Sequence, residues 1–338
     1  MPSRVSNLHG LLVVDKPGLA GSAQPAPSSA PPAGQLPTSH DIVQQVRRWS
    51  GERRIGHTGT LDPMASGVLV LCLGLATRLV EYYQGHDKQY YAEVTLGVAT
   101  DTYDALGKTM TVAPVPALNR AKAEAALHHF GGSVLQSPPV YSAIKQGGES
   151  AHRKARRGES VTLAPRAVTF YQLDLLALDA PDRLSLRIRC SAGAYVRSLA
   201  HDLGKALGTV AHLSALRREA AGPFTLDQAH DLTEIESAAR QGAMAPLMLP
   251  PGAGLALPRL TITPEMARRL GHGQWIPHPE GGTQATQRAD GADPGAEDGI
   301  AQAYHTDGSF AGIVRVMQTQ PGGEFVIKAE KWFAQALN

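Results

Sequence analysis

Two side-chain periodicities interleave along this chain, and the order in which they occur constrains the fold more tightly than composition does. Tyr90, Ala92, Val94 and Leu96 alternate with Tyr91, Glu93 and Thr95, a period of two that predicts a half-buried strand over residues 88–98 with Tyr90 on its apolar face. Earlier, Ile42, Val43, Val46 and Trp49 recur at helical spacing; Thr38 and Ser39 offer N-cap oxygens before them, and Gly51 ends the run. Residues 8–14 and 68–73 are apolar runs of strand length, the second followed by a helix through Leu79 and Tyr82. Asn119 predicts the cap of a helix to Phe130, terminated by Gly131 and Gly132; strands over 168–178 and 183–190 then lead into a helix over 196–207. Interleaving of this kind, with hairpins, predicts an α+β domain whose mixed, largely antiparallel sheet is flanked by helices, not a parallel βαβ series.

The chain has 338 residues, 43% of them hydrophobic, enough to bury a large core and to divide into one large domain and one smaller. Pro250, Pro251, Gly252 and Gly254 predict a linker, placing the division at 1–250 and 251–338, the second part small and β-rich with strands near 300–305, 311–316 and 324–329. Residues 18–37, with AGSAQPAPSSAPPAGQLP in their body, lack apolar periodicity and predict a flexible insertion. Cys72 and Cys190 sit in separate apolar runs and predict two buried thiols, not a disulfide or metal framework. The N-terminal apolar stretch is too short for a signal peptide and no segment approaches membrane-spanning length, so a cytoplasmic protein with no membrane partner is expected.

Net charge is only +2, but its distribution is uneven. Within 145–158, Lys145, Arg153, Lys154, Arg156 and Arg157 stand against Glu149 alone, a local balance of +4. Within 43–57, Arg47, Arg48, Arg53 and Arg54 face only Glu52, and within 280–298 five acidic residues against Arg288 leave −4. The acidic stretch masks two basic segments, each of which reads either as a solvated face or as a contact for nucleic acid.

Chemistry is concentrated in residues 54–71, RIGHTGTLDPMASGVLVL, where two glycines, a histidine, two threonines and an Asp-Pro pair fill a loop between apolar elements. On turn chemistry alone, Asp62-Pro63 is first a turn and His57 an ordinary polar residue. A metal site lacks a nearby third ligand, and a phosphate-binding NTPase loop lacks both the spacing and the lysine.

GHTGTLDPMASGVL resembles the catalytic-loop signature of the TruB family of tRNA pseudouridine synthases, and four further blocks resemble that family in its order: HGLLVVDKP, KQYYAEVTLGVATDTYDALG, QSPPVYSAIKQGG, and CSAGAYVRSLAHDLGKALG with AHLSALRR. The resemblance covers residues 8–224. It implies that Asp62 is the catalytic aspartate, that Tyr90 lies against the target base and that Arg197 pairs with the aspartate. It further implies that His57 enters the RNA loop near the flipped nucleotide, that Tyr195 and Leu216 line the base pocket, and that Lys16 with Pro17 lies near the site. The family's middle insertion folds against the tRNA arm, so Lys145, Arg153, Lys154, Arg156 and Arg157 are expected on RNA phosphates. The C-terminal segments TPEMARRLGHGQWIP and SFAGIVRVM resemble a PUA-type RNA-binding module, whose alternative is a structural cap. The Pro/Ala-rich insertion departs from the family pattern by separating Lys16-Pro17 from Thr38-Ser39.

The resemblance implies isomerisation of uridine 55 in the TΨC arm of tRNA. The reaction needs no cofactor or metal, because one glycosidic bond is broken and another formed within the same molecule. A monomer acting without a guide RNA is expected. Two rivals are a tRNA-folding or RNA-binding chaperone with incidental isomerase activity and a guide-dependent synthase. Asp62, Tyr90 and Arg197, all present, argue against loss of catalysis.

Overall fold

The structure, a computed structural model, describes residues 8–19, 21, 36–142, 144–146, 149–150, 154, 157, 159, 161–179, 182–278, 299–318 and 324–333. In chain order the elements are β1 (Gly10–Lys16), α1 (Ser39–Ser50), β2 (Ile55–His57), β3 (Ser66–Leu73), α2 (Val80–Gln84), β4 (Lys88–Leu96), β5 (Val98–Thr100), β6 (Thr109–Val112), α3 (Arg120–His128) and β7 (Gly132–Gln136). They continue with β8 (Lys145–Gln146), β9 (Glu149–Ser150), β10 (Arg166–Asp179), β11 (Arg183–Cys190), α4 (Val196–Ala206), β12 (Ala211–Ala221), β13 (Phe224–Thr225) and α5 (Leu232–Arg240). The C-terminal part holds β14 (Arg259–Ile262), α6 (Pro264–Gly271), β15 (Ile276–Pro277), β16 (Gly299–His305), β17 (Phe310–Gln318) and β18 (Phe325–Trp332).

Nine strands form one sheet, in the order β1-β3-β12-β4-β11-β10-β7 with β2 on β3 and β13 on β12. Every pairing in it is antiparallel except β3 with β12, so the sheet is mixed and largely antiparallel. Helix α1 starts as its sequence dictates: Thr38 Oγ1 accepts from the Asp41 N–H, the Asp41 carboxylate accepts from the Thr38 N–H, and Gly51 closes the helix at φ 71°. The buried apolar side chains of α1 and α4 join Tyr90, Ala92, Val94, Leu186 and Ile188 in one apolar cluster on one face of the sheet.

Strand β4 departs from its half-buried expectation. Tyr91 and Glu93, assigned to the solvent face, are both buried: the chain at Gly21 lies over them, where an added Cβ would fall 2.7 Å from Glu93 Oε1 and 3.1 Å from the Tyr91 ring, and the Tyr91 hydroxyl donates to Glu93 Oε1 at 2.9 Å. The strand also stops at Leu96; Gly97, at φ 84°, turns the chain into β5. Cys72 and Cys190 are free and buried, and burial pushes both thiols up to about 12.

A second sheet, ordered β14-β16-β17-β18-β15, forms the C-terminal part. The expected linker is not a free tether. Pro251 and Gly252 are buried, the Tyr83 hydroxyl donates to the carbonyls of Pro251 and Ala253, and a Cβ on Gly252 would fall 2.4 Å from the Phe310 ring. Phe310, Ile313 and Phe333 from this part share one apolar cluster with Leu11, Val13, Val70, Tyr83 and Phe224, which fixes it to the large sheet.

The insertion expected at 18–37 is fastened where it is described: the Leu19 N–H donates to Met64 O at 2.8 Å, and Leu19 and Leu36 both pack on the main cluster. Residues 20 and 22–35, like 280–298 of the acidic stretch, lie outside the described residues. Among the described residues no helix is long and apolar enough to cross a membrane.

Candidate active site

Strands β2 and β3 pair antiparallel, and the chain between them carries Asp62 at a turn closed by the Ala65 N–H on Asp62 O at 3.0 Å. Three side chains from distant elements grip this loop. Ser39 Oγ, at the start of α1, accepts from the Leu61 N–H at 2.8 Å and donates to Leu61 O at 3.0 Å. Lys16, at the end of β1, gives its ammonium protons to the carbonyls of Pro17 (2.9 Å), Pro63 (3.0 Å) and Ala65 (2.7 Å). Arg218, on β12, donates to Val68 O at 2.6 Å, Gly59 O at 3.1 Å and Thr60 O at 3.4 Å. Gly67 is required beside it: at φ 99°, a Cβ there would lie 2.3 Å from Arg218 O.

Arg197, near the start of α4, faces Asp62 with two nitrogens. Nη2 donates to Oδ1 at 2.9 Å and Nε lies 2.9 Å from Oδ2. The guanidinium side chain is 5% exposed, whereas that of Asp62 is 29% exposed, so the pair opens on the carboxylate side. Arg197 is held in turn by Thr102 O (3.1 Å), Tyr141 O (3.0 Å) and the Asp104 carboxylate (3.7 Å). Burial raises the Asp62 pKa above the ordinary carboxylate value; Arg197 opposes that rise, Asp104 adds to it, and Lys16 opposes it weakly. The guanidinium therefore offsets the desolvation of Asp62 only in part.

Tyr90 is buried on β4, opposite Ile188 of β11 and Arg218 of β12, in the same apolar cluster as Leu216. Burial raises the Tyr90 hydroxyl, and the charge of the Arg218 guanidinium works against that rise. His57 ends β2; burial, then the charges of Arg218 and His40, hold its imidazole below the usual value, and its buried Nδ1 has no hydrogen-bond partner. Tyr195 caps α4, with its N–H on Gln136 Oε1 at 2.8 Å and its carbonyl accepting from Gln136 Nε2 at 3.0 Å.

Lys16 is 0% exposed and its three protons are spent on loop carbonyls, so it shapes the loop from beneath and has no donor left for a nucleotide. Burial pulls its pKa down to about 7. Arg157, expected on RNA phosphates, is paired with Glu149 at 2.6 Å and Glu159 at 2.7 Å. Lys154 is half-buried, the side chain of Lys145 is not described, and Arg153 and Arg156 lie outside the described residues.

Sequence reasoning missed Ser39, Asp104 and Arg218. Ser39 passed as a cap, although Thr38 does the capping and leaves Ser39 free to reach Leu61. Asp104 lay within the block KQYYAEVTLGVATDTYDALG, whose resemblance to the family was read without a role for this residue. Arg218 sits in a strand whose bulges at 213/215 and 218/220 spoil its alternation. Among the described residues no group of three His, Cys, Asp or Glu side chains is placed to hold a metal ion.

Comparison with known proteins adds to this geometry. Residues 47–196 match the model of the TruB family pseudouridylate synthase N-terminal domain, and residues 197–253 that of the tRNA pseudouridylate synthase B C-terminal domain. The chain is 39% identical over 308 residues to the tRNA pseudouridine synthase B of Xanthomonas campestris pv. campestris (strain B100), covering 90% of this chain and 89% of that one. It is 45% identical over 239 residues to the tRNA pseudouridine synthase B of Symbiobacterium thermophilum, covering 70% and 78%. Among solved structures, a chain of a Cbf5-Nop10-Gar1 complex superposes with a TM-score of 0.68 at 22% identity, covering 98% of this chain and 87% of that one. A chain of an H/ACA RNP bound to a substrate RNA containing 2'-deoxyuridine does so at 0.67 and 22%, covering 96% and 85%. At that identity the likeness is one of fold.

Proposed function

The chain belongs to the TruB family of pseudouridylate synthases, and from that premise we propose that it converts uridine 55 of tRNA to pseudouridine with Asp62 as the catalytic carboxylate. The observation that carries the assignment of Asp62 is its pairing with Arg197, across 135 residues of sequence, on the one side that is closed to solvent.

The reaction breaks the N1–C1′ bond of the target nucleotide, turns the uracil and joins C5 to C1′; the proton lost from C5 is balanced by one gained at N1. Product and substrate are isomers, so no group is added and no electrons are exchanged. An ionised carboxylate serves each available route: attack at C1′, addition at C6, or removal of the C2′ proton. The guanidinium favours the ionised form, and its Nη2–H bond to Oδ1 fixes the direction in which the free lone pairs of Asp62 face.

A uridine stacked in an RNA loop hides both its glycosidic bond and its ring carbons, so it must leave the stack at a cost of a few kcal/mol. Stacking on an aromatic face returns about 1–3 kcal/mol per base. In this reading Tyr90 is the face beneath the uracil, Tyr195 and Leu216 complete the pocket wall, and His57 fills the space the nucleotide vacates. Lys145, Arg153, Lys154, Arg156 and Arg157 meet phosphates of the tRNA arm, with Arg157 exchanging Glu149 and Glu159 for RNA. The protein acts by itself, without a guide RNA.

Incubation of the purified protein with an unmodified tRNA transcript tests the reading. Pseudouridine at position 55 with the wild type and none with Asp62→Asn is the expected result. Binding without product by the wild type would point to an RNA chaperone, and product with Asp62→Asn would remove Asp62 from its role.

A further inference from the structure

Tyr103 is the one residue other than glycine with a positive φ, 63°, among the described residues. A bulky side chain in the left-handed region costs free energy that its surroundings must offset, and such strain gathers at functional sites. Here the surroundings are specific. The Tyr103 ring lies flat on the imidazole of His201, with centroids 3.9 Å apart and planes 9° from parallel.

The two neighbours of Tyr103 in sequence both hold Arg197: Thr102 through its carbonyl at 3.1 Å and Asp104 through its carboxylate at 3.7 Å. His201 lies four residues after Arg197 on α4, hence on the same side of that helix. The stack thus joins the turn that grips the guanidinium to the helix that carries it. Backbone hydrogen bonds fasten the turn to β12, from the Leu213 N–H to Tyr103 O and from the Ala105 N–H to Leu213 O, both at 3.0 Å, but none of these reaches α4. Within the turn, Asp104 Oδ1 accepts from Thr102 Oγ1 at 2.6 Å and from the Leu106 N–H at 3.0 Å, which orients the carboxylate.

We propose that Tyr103 and His201 are a positioning pair: their stacked rings lock the 101–107 turn against α4, so that Thr102 and Asp104 hold Arg197 in the orientation that aims two of its nitrogens at Asp62. The inference rests on the role given to Asp62 and Arg197 above. It concerns two side chains that touch neither reacting group. Burial, with the charge of Lys205 adding to it and that of Asp202 opposing, holds the imidazole below its usual value, so a neutral, flat ring meets the tyrosine near neutral pH.

Four variants separate ring from backbone. Tyr103→Phe keeps the ring, Tyr103→Gly removes it while accepting the left-handed conformation without strain, His201→Phe keeps a flat partner, and His201→Ala removes it. Single-turnover pseudouridine formation, its pH dependence, tRNA affinity and thermal midpoint are measured for each. Tyr103→Phe and His201→Phe should stay within about threefold of wild type, whereas Tyr103→Gly and His201→Ala should lose about 10- to 100-fold in rate at unchanged tRNA affinity, as expected of a misplaced group near the chemistry. In the slow variants the acidic limb of the rate should also move to higher pH, because a displaced Arg197 no longer lowers the Asp62 pKa. Tyr103→Gly or His201→Ala, folded and binding tRNA, with wild-type rate and an unmoved limb overturns the proposal. If one of the two does not fold, the other decides. A wild type without product, or an active Asp62→Asn, strikes the underlying functional reading instead.

Discussion

Ser39 holds both backbone groups of Leu61, accepting from its N–H at 2.8 Å and donating to its carbonyl at 3.0 Å. One hydroxyl at the start of α1 thereby fixes the peptide next to Asp62, and both partners are buried. Ser39→Ala should leave the Leu61 N–H and C=O without partners and cost about 1–3 kcal/mol, read as a lowered urea midpoint. The rate should fall more than tRNA affinity does, because the loss is at the loop that carries the carboxylate. An alanine variant with wild-type stability and rate removes Ser39 from the loop's support.

The Asp62 carboxyl titrates above the ordinary value because burial outweighs the help of Arg197, while Asp104 adds to the rise. Isomerisation that needs the carboxylate should therefore fail, as pH falls, at a pH above that of a free aspartate, about 3.9. Arg197→Met should shift this limb upward and slow the reaction by roughly 10²–10³-fold at neutral pH. Asp104→Asn should shift the limb downward, the opposite direction. Single-turnover rates across pH check both signs, and a common direction for the two variants contradicts the electrostatics described.

Lys16 has a folded-state pKa of about 7 against an ordinary 10.5. The unfolded chain thus binds the proton more tightly between those values, so this group's contribution to stability grows as pH rises through that window and is lost as pH falls through 7. The slope for one proton is at most about 1.4 kcal/mol per pH unit. Lys16→Met abolishes that slope and leaves three loop carbonyls without their donor. Urea unfolding of wild type and variant at pH 7 and pH 9 should show the difference moving in favour of the wild type at the higher pH.

Phe310 is buried in a cluster shared by the two sheets. Phe310→Ala should cost about 3–5 kcal/mol, and the loss should reach β1 and β3 of the large sheet as well as the C-terminal part. Hydrogen exchange on both sheets checks this. Faster exchange confined to residues beyond 255 indicates that the C-terminal part folds independently.

For the basic segment, combined neutralisation of Lys154 and Arg157 should weaken tRNA binding and flatten its dependence on salt by roughly 0.7–0.9 in log–log slope for each phosphate contact removed. An unchanged slope withdraws these two side chains from the interface. Because Arg157 already pairs with Glu149 and Glu159, its share should be the smaller.

Local signals carried the elements of this fold. Helix α1 with its Thr38 cap and Gly51 stop, the alternating run of β4, and the glycine-rich loop around Asp62 all depend on interactions within a few residues, which the order of side chains encodes directly. Beyond these, the sequence determined which residues could do chemistry, through a loop whose composition suits no metal or nucleotide site and whose order matches one family.

Tertiary structure alone decided how that loop is held. Asp62 meets Arg197 across 135 residues, Lys16 reaches Pro63 across 47, and Arg218 reaches Gly59 across 159, separations over which no periodicity carries information. It also decided that Tyr91 and Glu93 are buried, since the chain at Gly21 lies over the face that alternation assigns to solvent. The reason is the same in both cases: side-chain pattern records the environment along one element, while the orientation of a buried charge is settled by whichever distant groups the packed sheet brings within hydrogen-bonding distance.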